Sequence, residues 1–437
     1  MREIILSKLK TVRRSLSRKA IVYILFYAIG TSLTFSRNFI YASLLSPEEF
    51  GDLNKLILYK SNFLLFADAG MRLLAQKKLP IAYSQNSLEE AQYLITGCVF
   101  TFYLSSCISI LLLVIAISLG YLGQDSSYWF ILVIIYSLSQ YLWLVFSTDL
   151  RSFSETETYA ILYAARAILI FTTSLFPYYF SAVASISFII WLEIIITFML
   201  LYYMLIKRRK AFLFISFSQL IKCRRWLKEN LKYGVRLLFL GSTVIVLKSL
   251  DKWIGIFVLS REEYGIYSAG LIFLLAMETV QVMVGQYTFP IISRTVGLKG
   301  HSAAYNLTKK LTIIFILLGS TAFFPITITI QALINKIMPQ YIASIHLVPV
   351  FVLSGIFIVS NFSIVFCTLC NIEVKMSFAF TLYSAVIFIM CILLSHFNLM
   401  NYTPGTIAYI ALLSSILLWI TSYIMGHNAN KNLSQSR

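Results

Sequence analysis

The chain has 437 residues, 59% of them hydrophobic and 12% charged, with a mean hydropathy of +0.81. That composition excludes a soluble globular protein. A formal net charge of +18 in so apolar a chain describes membrane topology rather than nucleic-acid binding.

Taken in chain order, the apolar stretches predict twelve transmembrane helices, at about 20–42, 53–72, 93–118, 127–147, 157–177, 181–206, 231–258, 265–290, 310–335, 346–370, 376–396 and 404–426. Crossing about 30 Å of hydrocarbon takes roughly 20 residues, and each stretch is long enough. With the N-terminus inside, the outward gaps hold only Arg261 and Lys336, while the inward gaps and the tails hold the bulk of the 36 Lys and Arg. Glu48, Glu49, Asp52, Asp125, Glu262 and Glu263 fall in those same outward gaps. Both termini are therefore expected in the cytoplasm.

From Arg2 to Lys19, basic residues alternate with Ile4, Ile5, Leu6, Leu9, Val12 and Leu16. The layout of a cleaved signal peptide is missing. The tail reads either as a basic amphipathic segment on the anionic inner surface or as a solvated positive flank. The largest loop, at about 207–230, carries Lys207, Arg208, Arg209 and Lys210 at one end and Lys222, Arg224, Arg225 and Lys228 at the other. Its middle, Ala211 to Ile221, is apolar enough for an interfacial helix. The expected organisation is a basic tail (1–19), an N-terminal six-helix lobe (20–206), a basic linker (207–230), a C-terminal six-helix lobe (231–426) and a second tail (427–437).

A weak repeat supports two lobes. Ser46-Pro47-Glu48-Glu49-Phe50-Gly51 recurs as Ser260-Arg261-Glu262-Glu263-Tyr264-Gly265, in the first outward gap of each half. The serine can cap a turn, the acids suit helix N–H groups, and the glycine relieves the backbone. Six spans per half make this a parallel repeat, related by a pseudo-two-fold axis along the membrane normal. The fold class expected is an all-α polytopic membrane protein of two six-helix lobes.

The charges inside spans carry the functional signal. They are Arg37, Lys55, Lys60, Arg166, Arg236, Lys248 and Lys252, against Asp68, Glu193, Asp251 and Glu278. A charge at the bilayer centre costs about 2.5–3.5 kcal/mol on insertion scales, so such groups face a bundle interior or a wet cavity. Near a span end they can snorkel to the headgroups, an option for Lys55, Lys252 and Arg236. Lys248, Asp251 and Lys252 stand at i, i+3 and i+4, as do Glu278 and Gln281 at i, i+3, with Gln286 further along. The predicted interior is net positive and suits an anion such as a diphosphate, which an arginine fork can grip. Tyr59, Tyr103, Tyr136, Tyr141 and Tyr163 lie along spans. A tyrosine serves beside a sugar, but a headgroup belt is preferred for most of these.

Enzyme chemistry finds little footing. His301, His346, His396 and His427 lie in loops or near span ends, and Cys367 and Cys370 form an isolated C-x-x-C within a span. No phosphate-binding G-x-x-x-x-G-K loop and no long outward loop for a glycan polymerase or ligase is present. A channel or purely structural role is disfavoured by the repeat and the embedded cations.

Glu48-Glu49-Phe50-Gly51, Glu262-Glu263-Tyr264-Gly265 with Tyr267, Asp251-Lys252 before it, and Asp68-Ala69-Gly70 followed by Arg72 carry a resemblance. In their order and six-plus-six setting, the chain resembles the bacterial polysaccharide (O-antigen and capsule repeat-unit) flippases. Their superfamily also holds the multidrug extruders and the peptidoglycan-precursor flippase. The usual tyrosine soon after Gly51 is replaced by Asp52-Leu53-Asn54. The resemblance implies translocation of a polyprenyl-diphosphate-linked oligosaccharide across the bacterial cytoplasmic (inner) membrane by alternating access, as a non-enzymatic antiporter-type carrier. No cofactor is implied beyond an H+ or Na+ coupling ion. The partners are the lipid-linked cargo, membrane lipids and a downstream polysaccharide polymerase, not nucleic acid, and the working unit is a monomer. The expected substrate-binding residues are Arg37, Lys60, Arg166, Arg236, Lys248, Asp251 and Lys252, with Asp251 positioning the two lysines; Asp68 or Glu278 is the ion-coupling acid. The alternatives are a multidrug extruder of the same superfamily and a polyprenyl-glycan polymerase or ligase.

Overall fold

A computed structural model describes residues 2–119, 124–153, 155–177, 185–207, 217–370, 372–397 and 401–435 of the chain, and every regular element among them is helical. The helices are α1 (Arg2–Leu44), α2 (Pro47–Ala67), α3 (Met71–Ser84), α4 (Leu88–Ser118), α5 (Gln124–Ser152), α6 (Thr156–Ser174) and α7 (Ile186–Lys207). After the linker come α8 (Phe217–Lys248), α9 (Leu250–Val258), α10 (Arg261–Ile337), a 3₁₀ segment (Pro339–Leu347), α11 (Val348–Val359), α12 (Ser363–Leu369), α13 (Glu373–His396) and α14 (Pro404–Gln435). The tail from Arg2 is a continuous part of α1, although its side chains lie outside the described residues, as does most of the Ala211–Ile221 interfacial helix.

Among the described residues, nine helical segments are long and apolar enough to cross a membrane. The three further spans expected from the sequence fall on α1, α2 and α6, which are helical, the side chains of α1 before Val22 lying outside the described residues. These three helices carry Arg37, Lys60 and Arg166. Large apolar side chains such as Leu111, Leu112, Ile195, Phe324 and Phe378 are exposed, the reverse of a soluble surface and what a lipid-facing one requires.

Local sequence explains the breaks. Asp68 ends α2, where Ala69 (φ 47°) and Gly70 (φ 77°) turn the backbone into the left-handed region. A Cβ on Gly70 would lie 2.0 Å from the carbonyl oxygen of Gly234, so α8 packs backbone-close on this turn. The expected single span at 231–258 is split at Ser249 (φ −106°, ψ 5°) into α8 and α9. The spans expected at 265–290 and 310–335 lie on two helical arms of α10, which meet at Gly300, where φ 82° and ψ 173° break the helix.

The chain forms two units, residues 1–40 with 56–238 and residues 41–55 with 239–437. The division departs from the expected lobes in two places. The start of α8 packs in the first unit, where Lys78 Nζ donates to Asn230 Oδ1 at 3.0 Å. The outward turn at 41–55 packs in the second, against its own repeat.

That packing is the clearest structural expression of the repeat. Ser46 and Ser260 each form a reciprocal capping box: Glu49 N donates to Ser46 Oγ and Glu263 N to Ser260 Oγ, both at 3.3 Å. In return the backbone N–H of Ser46 donates to Glu49 Oε2 (3.0 Å) and that of Ser260 to Glu263 Oε2 (2.9 Å). The glycines have a different purpose from the one expected. Neither Gly51 nor Gly265 has positive φ. Instead a Cβ on Gly51 would come within 3.0 Å of the Gly265 nitrogen, and one on Gly265 within 1.8 Å of the Pro47 oxygen. Arg261 adds an ion pair with Asp52 and lies 3.9 Å from Glu48.

Each unit has its own core. In the first, Met71, Leu74, Leu94, Phe102 and Tyr141 are buried together, with the Phe102 and Tyr141 rings stacked 4.0 Å apart. In the second, Tyr264, Tyr267, Phe351, Phe380 and Ile407 form the corresponding cluster.

Candidate functional site

Five helices of the first unit converge on a cavity of about 210 Å³ whose wall is polar at nearly every turn. Helical spacing delivers the side chains. Tyr136 and Gln140 stand at i, i+4 on α5, Tyr163 and Arg166 at i, i+3 on α6, and Glu193 and Thr197 at i, i+4 on α7. Thr34 and Arg37 come from α1 and Lys60 from α2.

Three cations face one carboxylate. Arg37 Nη1 meets Glu193 Oε1 at 2.7 Å, and Tyr136 OH donates to Glu193 Oε2 at 2.6 Å. Arg166 donates from Nη2 to Gln140 Oε1 (2.8 Å) and from Nε to Thr197 Oγ1 (3.1 Å), and its guanidinium lies 5.1 Å from the centre of the Trp143 ring. Thr197 is itself fixed by donating to the Glu193 carbonyl at 2.7 Å. Lys60 is the exception. Its ammonium lies 4.3 Å from the centre of the Tyr136 ring, and no carboxylate or other acceptor among the described residues pairs with it. Gln140 Nε2 is likewise enclosed with no acceptor among the described residues. With Glu193 ionised, the wall carries an excess of positive charge plus an orphan donor, and buried groups of that kind call for an anionic partner.

Of the residues expected to bind substrate, the structure brings Arg37, Lys60 and Arg166 together. Arg236 is exposed on α8 and belongs to no such group. The helix loosens at Ser249, between Lys248 and Asp251, although Ser249 N still donates to the Ile245 carbonyl and Trp253 N to the Ser249 carbonyl. Lys248 Nζ donates to Gln281 Oε1 at 2.7 Å. Asp251 is fully buried and accepts from the Tyr267 hydroxyl, with no ion pair to either lysine among the described residues.

The coupling candidates separate in the same way. Asp68 is buried and caps α3: Oδ1 accepts from Gly70 N at 2.8 Å, Oδ2 from Arg72 N at 3.3 Å, and Arg72 Nε lies 3.7 Å away. Glu278 is half-buried on α10, and the side chain of Gln286 lies outside the described residues. Among the tyrosines, Tyr59 and Tyr103 are exposed as a headgroup belt requires, whereas Tyr136 and Tyr141 are 4% and 0% exposed. Tyr163 forms part of the cavity wall. Glu193, Gln140 and Thr197 are the site residues to which the sequence assigned no role, since nothing in local spacing links α7 to α1. No group of three or more His, Cys, Asp or Glu residues suited to a metal occurs among the described residues.

No protein-family model matches the sequence, and no curated protein is significantly similar to it. Solved structures do match over nearly the whole chain. An inward-facing multidrug-resistance MATE-family transporter of the MOP superfamily aligns with a TM-score of 0.59 at 13% identity, covering 94% of this chain and 99% of that one. A MATE protein in complex with MaL6 aligns with a TM-score of 0.62 at 11% identity, covering 95% and 97%. The third is a MOP-superfamily transporter from Pyrococcus furiosus, whose binding pocket is described as of reverse polarity, suggesting a different function. It aligns with a TM-score of 0.56 at 14% identity, covering 95% and 96%. The chain thus has the all-α polytopic fold of the MOP-superfamily transporters.

Proposed function

We propose that the protein is a flippase that carries a polyprenyl-diphosphate-linked oligosaccharide from the inner to the outer leaflet of the bacterial cytoplasmic membrane by alternating access. It carries out no bond-making chemistry. The observation that carries the anionic cargo is Lys60: an ammonium in a cavity shared with two guanidiniums, with one carboxylate among them and none of its own. A diphosphate would supply the missing charge, and Arg37 and Arg166 would grip its oxygens. The shared fold supports the transport part of the reading. Glu278, on the same helix as Gln281, takes the ion-coupling role, because Asp68 is committed to capping α3.

A multidrug extruder is the second reading, favoured by the MATE structures that share this fold. An organic cation would have to enter a cavity with more positive than negative groups, which costs several kcal/mol for like charges brought together.

The deciding experiment is reconstituted flipping of a labelled lipid-diphosphate oligosaccharide, run beside efflux of a cationic dye, for the wild type and Lys60→Gln. Oligosaccharide flipping that is lost in the folded variant supports the proposal. Dye efflux without lipid flipping transfers the assignment to the extruder.

A further inference from the structure

A second polar surface adjoins the cavity within the first unit. Tyr23 and Tyr27 on α1 and Tyr159 and Tyr163 on α6 stand at i, i+4 on neighbouring helices, and their rings form a ladder. Tyr27 stacks on Tyr163 with centroids 4.8 Å apart and on Tyr23 at 5.6 Å. Tyr159 lies 6.4 Å from Tyr27 and 6.1 Å from Tyr163. At the foot, in the last turn of α5, the Arg151 guanidinium stands 4.9 Å from the centre of the Tyr159 ring. At the head, Tyr163 is also a wall of the cationic cavity. The contact between helices is close by design: a Cβ on Gly30 would come within 2.6 Å of the Tyr163 ring.

Packing alone does not account for the hydroxyls. Phenylalanine would stack as well and would bring no polar atom into the membrane. Yet among the described residues nothing accepts from or donates to the hydroxyls of Tyr27, Tyr159 and Tyr163, and none of these oxygens is sealed from the surrounding space. The rings of Tyr27 and Tyr159 are nevertheless buried. Each hydroxyl can both donate and accept, which matches the hydroxyls of a sugar and not the purely accepting oxygens of a phosphate. The geometry of the cargo fits the order of the two surfaces. A sugar linked to a diphosphate lies directly beside it, as Tyr163 lies beside Arg166 on one helical face.

We propose that Tyr27, Tyr159 and Tyr163, with Arg151 at the foot, form a saccharide-binding subsite for the sugars next to the diphosphate, while the diphosphate occupies the cavity of Arg37, Lys60 and Arg166. The subsite rests on the flippase reading above. It selects for a glycosylated over a bare lipid diphosphate, whereas the cavity selects for negative charge.

The test measures equilibrium binding to the full-length protein in nanodiscs. The probes are polyprenyl diphosphate alone and the same lipid bearing glucose, N-acetylglucosamine or glucuronic acid. Wild type is expected to bind at least one glycosylated lipid more tightly than the bare one. Tyr27→Phe and Tyr159→Phe, which keep the rings and their stacking, each lower that sugar-dependent gain by about two- to tenfold, the effect of one lost hydrogen bond. Affinity for the bare lipid stays unchanged. Phe variants that retain the full gain overturn the subsite and leave the flippase reading standing, as does a wild type that binds all four lipids equally. A wild type that binds none of them overturns the flippase reading and the subsite together.

Discussion

Arg37 and Glu193 are 156 positions apart in sequence and 2.7 Å apart in space, and their pairing leaves the cavity one acid for three cations. Glu193 therefore acts as a resident counter-anion, held by Tyr136 on its other oxygen. In Glu193→Gln the amide keeps the Tyr136 contact but no longer offsets Arg37. Breaking a buried pair costs about 3–5 kcal/mol. The variant is expected to melt several degrees lower without ligand and to show a larger stabilisation than wild type on adding a soluble short-chain prenyl diphosphate. An unchanged ligand-induced shift in thermal melting would remove Glu193 from the role of competitor.

Arg166 uses two different nitrogens for Gln140 and Thr197, on two helices. A lysine keeps the charge but offers no planar fork. Arg166→Lys should lose about tenfold in lipid flipping and melt a few degrees lower, because the charge-assisted hydrogen bonds it gives up to Gln140 and Thr197 are worth about 1.5–3 kcal/mol each. Flipping at the wild-type rate would show that charge alone matters at this position.

The two capping boxes should be interchangeable energetically. Ser46→Ala and Ser260→Ala each remove a cap worth about 1 kcal/mol. Because the boxes lie in one packed pair of turns, the double variant should depart from the sum of the singles, which a double-mutant cycle on thermal unfolding measures. Strict additivity would mean that the turns act independently.

Glycine substitutions should sort by what a Cβ would meet. Gly265→Ala, 1.8 Å from the Pro47 oxygen, is expected to abolish folded yield, while Gly51→Ala, with nearest atoms at 3.0 Å, lowers it. Among the described residues Gly285 has nothing within 4 Å, and it lies inside a helix, so Gly285→Ala should be neutral or stabilise by about 0.5–1 kcal/mol. Detergent-solubilised yield and melting temperature distinguish the three.

Much of this site could be read from the sequence, because a cation in an apolar run is costly wherever it points. Arg37, Lys60 and Arg166 stood out for that reason alone. Glu193 was visible as an embedded acid, but its partner was not, since helical periodicity relates residues on one helix and not on two. The spacing of Lys248, Asp251 and Lys252 was legible, but the hydroxyl that holds Asp251, on Tyr267 of the next helix, was not. Ser249 loosens the helix between them without a proline or glycine to mark the place. The matched turns at Ser46 and Ser260 were legible as a repeat, whereas their contact with each other was not.

The abutting of Gly51 and Gly265 constrains how this chain can be rebuilt. Neither copy of the turn tolerates bulk supplied by the other, so a chimera that imports one copy from a distant homologue inherits a mismatch at the opposite one. Exchanging both copies as a matched set should restore expression that either exchange alone destroys. Two segments separated by 214 positions thus behave as a single heritable unit.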